Sequence, residues 1–124
     1  MKELNWVSLG CGGSAHQLAQ AMQKDGRKFY GVVKRSYSQA IDFAKEYGIE
    51  KVYENIGAVF EDENVDVIYI STPHNTHINF LKKALANKKH VLCEKSITLN
   101  LDELKMAKKL AEENGVILAE AMTL

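Results

Sequence analysis

The stretch VSLGCGGSAHQLAQAM, residues 7–22, decides how the rest of the chain reads. An apolar run from Leu4 to Leu9 predicts a short strand ending at Gly10. From Ala15 onward the apolar residues Leu18, Ala19 and Met22 recur at helical spacing, and Gly26 stops the pattern. Between strand and helix stand Gly10, Gly12 and Gly13. Glycine costs backbone entropy, so a cluster of it answers a steric or ligand demand.

Outward from this unit, strand and helix alternate. Strands are predicted at Phe29–Val33, Lys51–Tyr53, Val65–Ile70, His90–Cys93 and Val116–Ala119. VDVIYI (65–70) is the clearest: it is almost continuously apolar and rich in branched residues, as a strand covered on both faces must be. Between them, a helix capped by Ser36 or Ser38 carries the stripe Ala40, Ile41, Ala44 and Tyr47, with Gly48 as its stop. Ile56–Phe60 reads as a short helix. Asn75 or Thr76 caps a helix with inner face Ile78, Leu81, Ala84 and Leu85. Asn100 with Glu103 forms a variant capping box before a helix that buries Leu101, Leu104, Ala107 and Ala111 and closes at Gly115. Short buried strands joined by helices imply right-handed crossovers. The expected fold is α/β: a doubly wound, Rossmann-type, mostly parallel six-stranded sheet with helices on both faces, forming a single domain over residues 1–124. Ligands of such sheets bind beyond the carboxyl ends of the strands. The residues to watch are therefore 10–15, 34–37, 71–77, 94–96 and 120–123.

Composition limits the partners. The 124 residues carry 16 basic and 16 acidic side chains, so no net field draws the chain to nucleic acid or anionic lipid. No apolar run reaches the roughly 18 residues of a membrane span. MKELNWVSLGCGG lacks the pattern of a signal peptide. The two cysteines, Cys11 and Cys93, have no metal-type spacing, and the four histidines none either. A cytoplasmic protein without a metal is expected, with a small-molecule substrate and neither a nucleic-acid nor a membrane partner.

Gly10-Cys11-Gly12-Gly13-Ser14-Ala15 fits G-x-G-x-x-G/A in the required setting, after a strand and opening a helix. Gly10 permits the tight turn, Gly12 lets the backbone approach a pyrophosphate, and Ala15 lets helix and strand pack closely. The helix N-terminus offers free N–H groups to the phosphates. The alternative is a purely structural turn. At the tip of the second strand, an NAD site usually carries a carboxylate for the ribose diol. Here Lys34-Arg35-Ser36 stands there instead, two cations and a hydroxyl, which suits the 2′-phosphate of NADP more than the diol of NAD; the alternative is an ordinary solvated Lys-Arg pair at a helix entry.

GCGGSA, R-S-x-x-x-A-x-x-F-A-K-E-Y-G-I (35–49), S-T-P-H-x-x-H (71–77) and A-L-x-x-x-K-H-V-L-C-E-K (84–95) together resemble the Gfo/Idh/MocA oxidoreductases. The resemblance covers nearly the whole chain. It implies that Lys95, preceded by Glu94, lies beside the nicotinamide and the reacting hydroxyl as proton donor and acceptor. It implies that Ser71, Thr72 and Pro73 line the ribose and nicotinamide side of the cofactor, with His74 and His77 near that pocket. His77, in the first turn of its helix, is a candidate for substrate contact, for a cap or for plain packing. The sequence departs from the family at Ser96, where proline usually fixes the backbone. Family members are about twice this length or more, with a second α/β domain that supplies substrate contacts and the oligomer interface. The implied whole is a homo-oligomeric enzyme acting on a sugar, polyol or related hydroxy compound, of which this chain is the cofactor domain. A non-catalytic nucleotide-sensing module of the same fold is the alternative.

The remaining features read as structural. Trp6 and Met106 are expected to pack. His16 reads as a polar surface residue and His90 as an edge residue of its strand. Lys82-Lys83, Lys88-Lys89 and Glu112-Glu113 read as solvated faces.

Overall fold

The computed structural model describes residues 4–10, 13–34, 36–70, 77–94 and 101–121; for residues 13, 14, 77–80, 94, 101, 104, 120 and 121 the backbone alone is described. Strands and helices alternate in the order β1 (Trp6–Leu9), α1 (Gly13–Lys24), β2 (Gly31–Val33), α2 (Tyr37–Tyr47), β3 (Lys51–Tyr53), α3 (Ile56–Glu61), β4 (Val67–Ile70), α4 (His77–Ala86), β5 (His90–Glu94), α5 (Leu101–Asn114) and β6 (Leu118–Ala121). The sheet has six strands in the order β3-β2-β1-β4-β5-β6, with every neighbouring pair parallel. This is the doubly wound order, and the reversal of winding falls between β1 and β4.

Alternation along the strands sends side chains to two cores. Val7 and Leu9, Ile68 and Ile70, and Val91 and Cys93 point to the layer formed by α3, α4 and α5, where they meet Val59, Phe60, Leu81, Ala84, Leu85, Ala107 and Ala111. Val32 and Tyr69 point the other way, to Ala15 and Ala19 of α1 and to Ala40, Phe43, Ala44 and Tyr47 of α2. The strands are apolar on both faces because both faces are covered. Phe43 stands in the buried set of α2, and Ile41 is only half-buried.

Four helices end alike. Gly26, Gly48 and Gly115 take left-handed φ after α1, α2 and α5, and Lys88 takes the same conformation, φ 61°, after α4. There the Lys89 N–H returns to the Ala84 carbonyl at 3.0 Å. The non-glycine residue carries the steric cost of that conformation.

Several expectations are corrected. β6 begins two residues later than predicted. The Val116 N–H is drawn back to the Ala111 carbonyl at 3.0 Å, closing α5, so the chain is not free to extend until Leu118. At the other strand starts, Asn5 accepts from the amides of both Asp66 and Val67, and Tyr30 N–H donates to the Trp6 carbonyl, so 4–5, 29–30 and 65–66 form the lead-ins rather than the strands. Met106 does not pack; it is 45% exposed. Lys89 is not on a solvated face; it is 6% exposed, and its ammonium donates to the Asp62 carbonyl at 2.7 Å. The aliphatic stem buries while the head finds a fixed acceptor. Ser36 does occupy the N-cap of α2, but its hydroxyl makes no cap bond and stands 3.3 Å from the Ser38 hydroxyl. The caps expected from Asn75, Thr76 and Asn100 lie outside the described residues, as do the side chains of Ile78, Leu101 and Leu104.

At the edge where the strands begin, a polar cluster braces α3 against β3. Gly31 pairs with Lys51, and the Tyr53 ring lies back over it; a Cβ at Gly31 would stand 2.6 Å from Tyr53 Cε2. That placement brings the Tyr53 hydroxyl to 2.6 Å from Asp62 Oδ2, which also accepts from Lys51 Nζ at 2.8 Å. Asp62 Oδ1 accepts from the Asn64 N–H. Burial works to raise the Asp62 pKa, but the hydrogen bonds from Lys51, Tyr53 and Asn64 outweigh it and bring it to about 2. Burial first, then the Asp62 carboxylate, pushes the Tyr53 phenol well above its ordinary value.

Candidate functional site

The carboxyl ends of the strands meet at one edge. Leu9 pairs with Val33 on one side and Ile70 on the other, Ile70 pairs with Cys93, and Glu94 pairs with Ala121. Adjacent strands lie about 4.8 Å apart, so the ends of β1 and β5 are roughly 10 Å apart, with β4 between them. The glycine turn leaves β1 at this edge, and β2 delivers Lys34 next to it.

The turn is held at its first glycine. Gly10 is buried with φ 114°, a conformation that strains any side chain. Its N–H donates to the Val33 carbonyl at 2.9 Å, which ties the end of β1 to the end of β2. Its carbonyl accepts from Ser8 Oγ at 2.7 Å, and Ser8 is fully buried. Ser8 was missed from sequence; the signal was a lone hydroxyl in an otherwise apolar strand. Helix α1 starts at Gly13, and Ala15 and Ala19 are buried against the sheet, so the small side chains bring the helix N-terminus close to β1. These are the steric conditions a pyrophosphate site needs.

Of the residues named from sequence, Gly10, Ala15, Lys34 and Ser36 are described in full. Lys34 is half-buried just past β2 and has no hydrogen-bond or ion-pair partner among the described residues; Ser36 begins α2 beside it. Gly13 and Ser14 open α1, His77 opens α4 and Glu94 ends β5, each placed by its backbone. Cys11, Gly12, Arg35, Ser71, Thr72, Pro73, His74 and Lys95 lie outside the described residues. β4 ends at Ile70 and β5 at Glu94, both at the edge where β1 ends.

His16 lies at the surface as expected, its side chain 38% exposed, but it is also held by α2. Its ring packs edge-on to Phe43, centroids 4.9 Å apart. Its Nδ1 lies 2.6 Å from the Tyr47 hydroxyl and 3.1 Å from Glu46 Oε2, joining α1 to α2. Burial, then the Glu46 carboxylate, raises the Tyr47 phenol above its ordinary value. No sequence signal links these residues, which lie about a quarter of the chain apart. His90 does serve the strand edge: its Nδ1 accepts from the Ile117 N–H at 2.9 Å, joining β5 to the start of β6.

Residues 4–122 match the family model described as "Oxidoreductase family, NAD-binding Rossmann fold" (GFO_IDH_MocA). The chain belongs to the Gfo/Idh/MocA family. Among curated members, it is 32% identical over 118 residues to the uncharacterized oxidoreductase YgjR of Escherichia coli, covering 94% of this chain and 34% of that protein. It is 36% identical over 111 residues to the scyllo-inositol 2-dehydrogenase (NAD(+)) of Bacillus subtilis, covering 90% and 32%. Among solved structures, KijD10, a 3-ketoreductase from Actinomadura kijaniata in complex with NADP and TDP-benzene, superposes with a TM-score of 0.87 at 26% identity, covering 96% of this chain and 37% of that one. The chain thus spans about a third of the length of these Gfo/Idh/MocA relatives. It is an NAD(P)-binding domain, and its relatives include proteins named for NAD and a structure holding NADP. No helix among the described residues is long and apolar enough to cross a membrane.

Proposed function

We propose that this chain is the nucleotide-binding part of an NADP-dependent oxidoreductase that interconverts a hydroxyl and a carbonyl on a sugar, polyol or related compound. The observation that carries the reading is the Lys34 ammonium at the tip of β2, without a partner among the described residues, next to Gly10 with its φ of 114°. Cations without carboxylates at that tip favour a ribose 2′-phosphate over a bare diol. The relatives' names support the substrate class: inositol and diol dehydrogenases, a xylose dehydrogenase and a 3-ketoreductase.

The nicotinamide supplies the hydride chemistry. The chain's own residues do the rest. The Gly10 turn and the α1 N-terminus receive the diphosphate, and Lys34, Arg35 and Ser36 receive the 2′-phosphate. Ser71, Thr72, Pro73 and His74, on the segment leaving β4, line the ribose and nicotinamide side, and His77 stands at the start of α4. Lys95, just past β5 and preceded by Glu94, holds or gives the proton of the reacting hydroxyl, the work a positioned ammonium does in general acid–base catalysis. Substrate contacts and assembly into a homo-oligomer fall to the other two thirds of the relatives' length.

Fluorescence titration of the purified chain with NADPH and NADH tests the cofactor assignment. NADPH is expected to bind more tightly, and a tenfold preference for NADH overturns it. In an enzyme containing this chain, Lys95→Ala is expected to cut turnover at least a hundredfold with little change in cofactor affinity; unchanged turnover removes Lys95 from the chemistry.

A further inference from the structure

A groove runs between α1 and α2 from the tip of β2, lined by His16, Lys34, Gln39, Asp42, Phe43 and Glu46. His16 enters it from the first turn of the glycine-turn helix, and Lys34 from the strand tip. Among the described residues the histidine is held through one nitrogen. Nδ1 faces the Tyr47 hydroxyl at 2.6 Å and Glu46 Oε2 at 3.1 Å, while Phe43 packs against the ring at 4.9 Å. Nε2, on the far side of the ring, has no hydrogen-bond partner among the described residues.

Nδ1 has two kinds of partner, the Tyr47 hydroxyl, which can donate to it, and the Glu46 carboxylate, which only accepts. With the Tyr47 O–H donating to Nδ1, the neutral ring carries its hydrogen on Nε2, the tautomer the proposal below requires. If the ring is instead charged and paired with Glu46, Nε2 again carries a hydrogen. In both of these states Nε2 is a donor, and it lines the same groove as the Lys34 ammonium, which has no partner among the described residues. A donor and a cation lining one groove at the end of β2 suit a phosphoryl oxygen.

We infer that His16 is a specificity residue for the cofactor: its Nε2–H and the Lys34 ammonium together take the phosphoryl group that distinguishes NADP from NAD. The inference rests on the NADP reading above and adds a contact from a different helix. Tyr47 is then a positioning residue, since it acts only through the orientation and tautomer of His16. Asp42 and Glu46 are the groove's acidic groups. Glu46 faces His16 Nδ1 at 3.1 Å and is offset when the ring is charged; Asp42, without a partner among the described residues, opposes an anion.

The test is a matrix of titrations on the chain and its His16→Ala, Tyr47→Phe and Asp42→Asn variants, each with NADPH, NADH and adenosine 2′,5′-bisphosphate, with thermal melts run alongside. His16→Ala is expected to weaken NADPH and the bisphosphate about tenfold, one charge-assisted hydrogen bond, and to leave NADH within about twofold. Tyr47→Phe should weaken NADPH about threefold, again without effect on NADH. Asp42→Asn should tighten NADPH about twofold by removing a like charge. Equal weakening of NADPH and NADH in His16→Ala, or no change in either, overturns the inference. If His16→Ala does not melt cooperatively, Tyr47→Phe decides by the same split between NADPH and NADH. The wild-type chain is read first: a preference for NADH there defeats the cofactor reading itself and the inference with it, whereas a wild type that prefers NADPH with an indifferent His16 defeats the inference alone.

Discussion

Replacing Asp62 by asparagine keeps the shape of the side chain and removes its charge. In the native fold this carboxylate is 10% exposed and accepts from Lys51 Nζ, Tyr53 Oη and the Asn64 amide. Burial alone would raise its pKa, and the three donors bring it from 3.8 down to about 2. A carboxylate whose pKa is lower folded than unfolded stabilises the fold above the unfolded value and loses that contribution as pH falls toward the folded one. A difference of nearly two pH units corresponds to about 2 kcal/mol, present in full above pH 5 and lost between about pH 4 and pH 2. Lys51 is 46% exposed, so solvent screens its share, and Lys51→Met should cost under about 1 kcal/mol. The Tyr53 hydroxyl is sheltered, so Tyr53→Phe should cost about 1–3 kcal/mol. Urea denaturation at pH 7 is expected to find Asp62→Asn about 2 kcal/mol less stable than wild type. By pH 3 roughly half of that difference should be gone. A difference that is absent at neutral pH, or that keeps its size from pH 7 to pH 3, refutes the reasoning.

Gly31→Ala should destabilise by about 1–3 kcal/mol, because the new methyl would meet both the Tyr53 ring at 2.6 Å and the Lys51 carbonyl at 3.1 Å; a melting temperature equal to wild type would show the ring is not fixed there. Lys88→Gly should raise stability by up to about 1 kcal/mol by relieving the left-handed φ of 61° at the end of α4, and a loss of stability by urea titration would contradict this. Lys89→Met should lower stability by about 0.5–1.5 kcal/mol, since it keeps the buried stem but removes the ammonium from the Asp62 carbonyl, which keeps only the Val65 N–H at 3.1 Å; a neutral result in the same assay would show that the ammonium contributes nothing there.

The sequence by itself determined the alternation of strands and helices, the parallel sheet and the edge where the site forms. Those properties are carried by short-range pattern: the apolar runs of β1 and β4, the helical stripes of α1 and α4, and Gly10 where the backbone must turn with positive φ. The family was legible as well, through GCGGSA, STPHNTH and HVLCEK, because each motif is local. What only the tertiary structure decided are the partnerships between residues distant in the chain. Ser8 went unread inside an apolar run, and only the fold sets its hydroxyl on the Gly10 carbonyl. Lys89 looked like a surface cation until α3 brought the Asp62 carbonyl to it. His16 read as a surface residue, which it is, but only the fold sets Glu46 and Tyr47 of α2 against one side of its ring. β6 slid two residues because a backbone hydrogen bond closing α5 took precedence over the apolar pattern. Periodicity reports which face a residue lies on; a polar side chain is placed by a single donor or acceptor, and only the folded chain brings that atom within 3 Å.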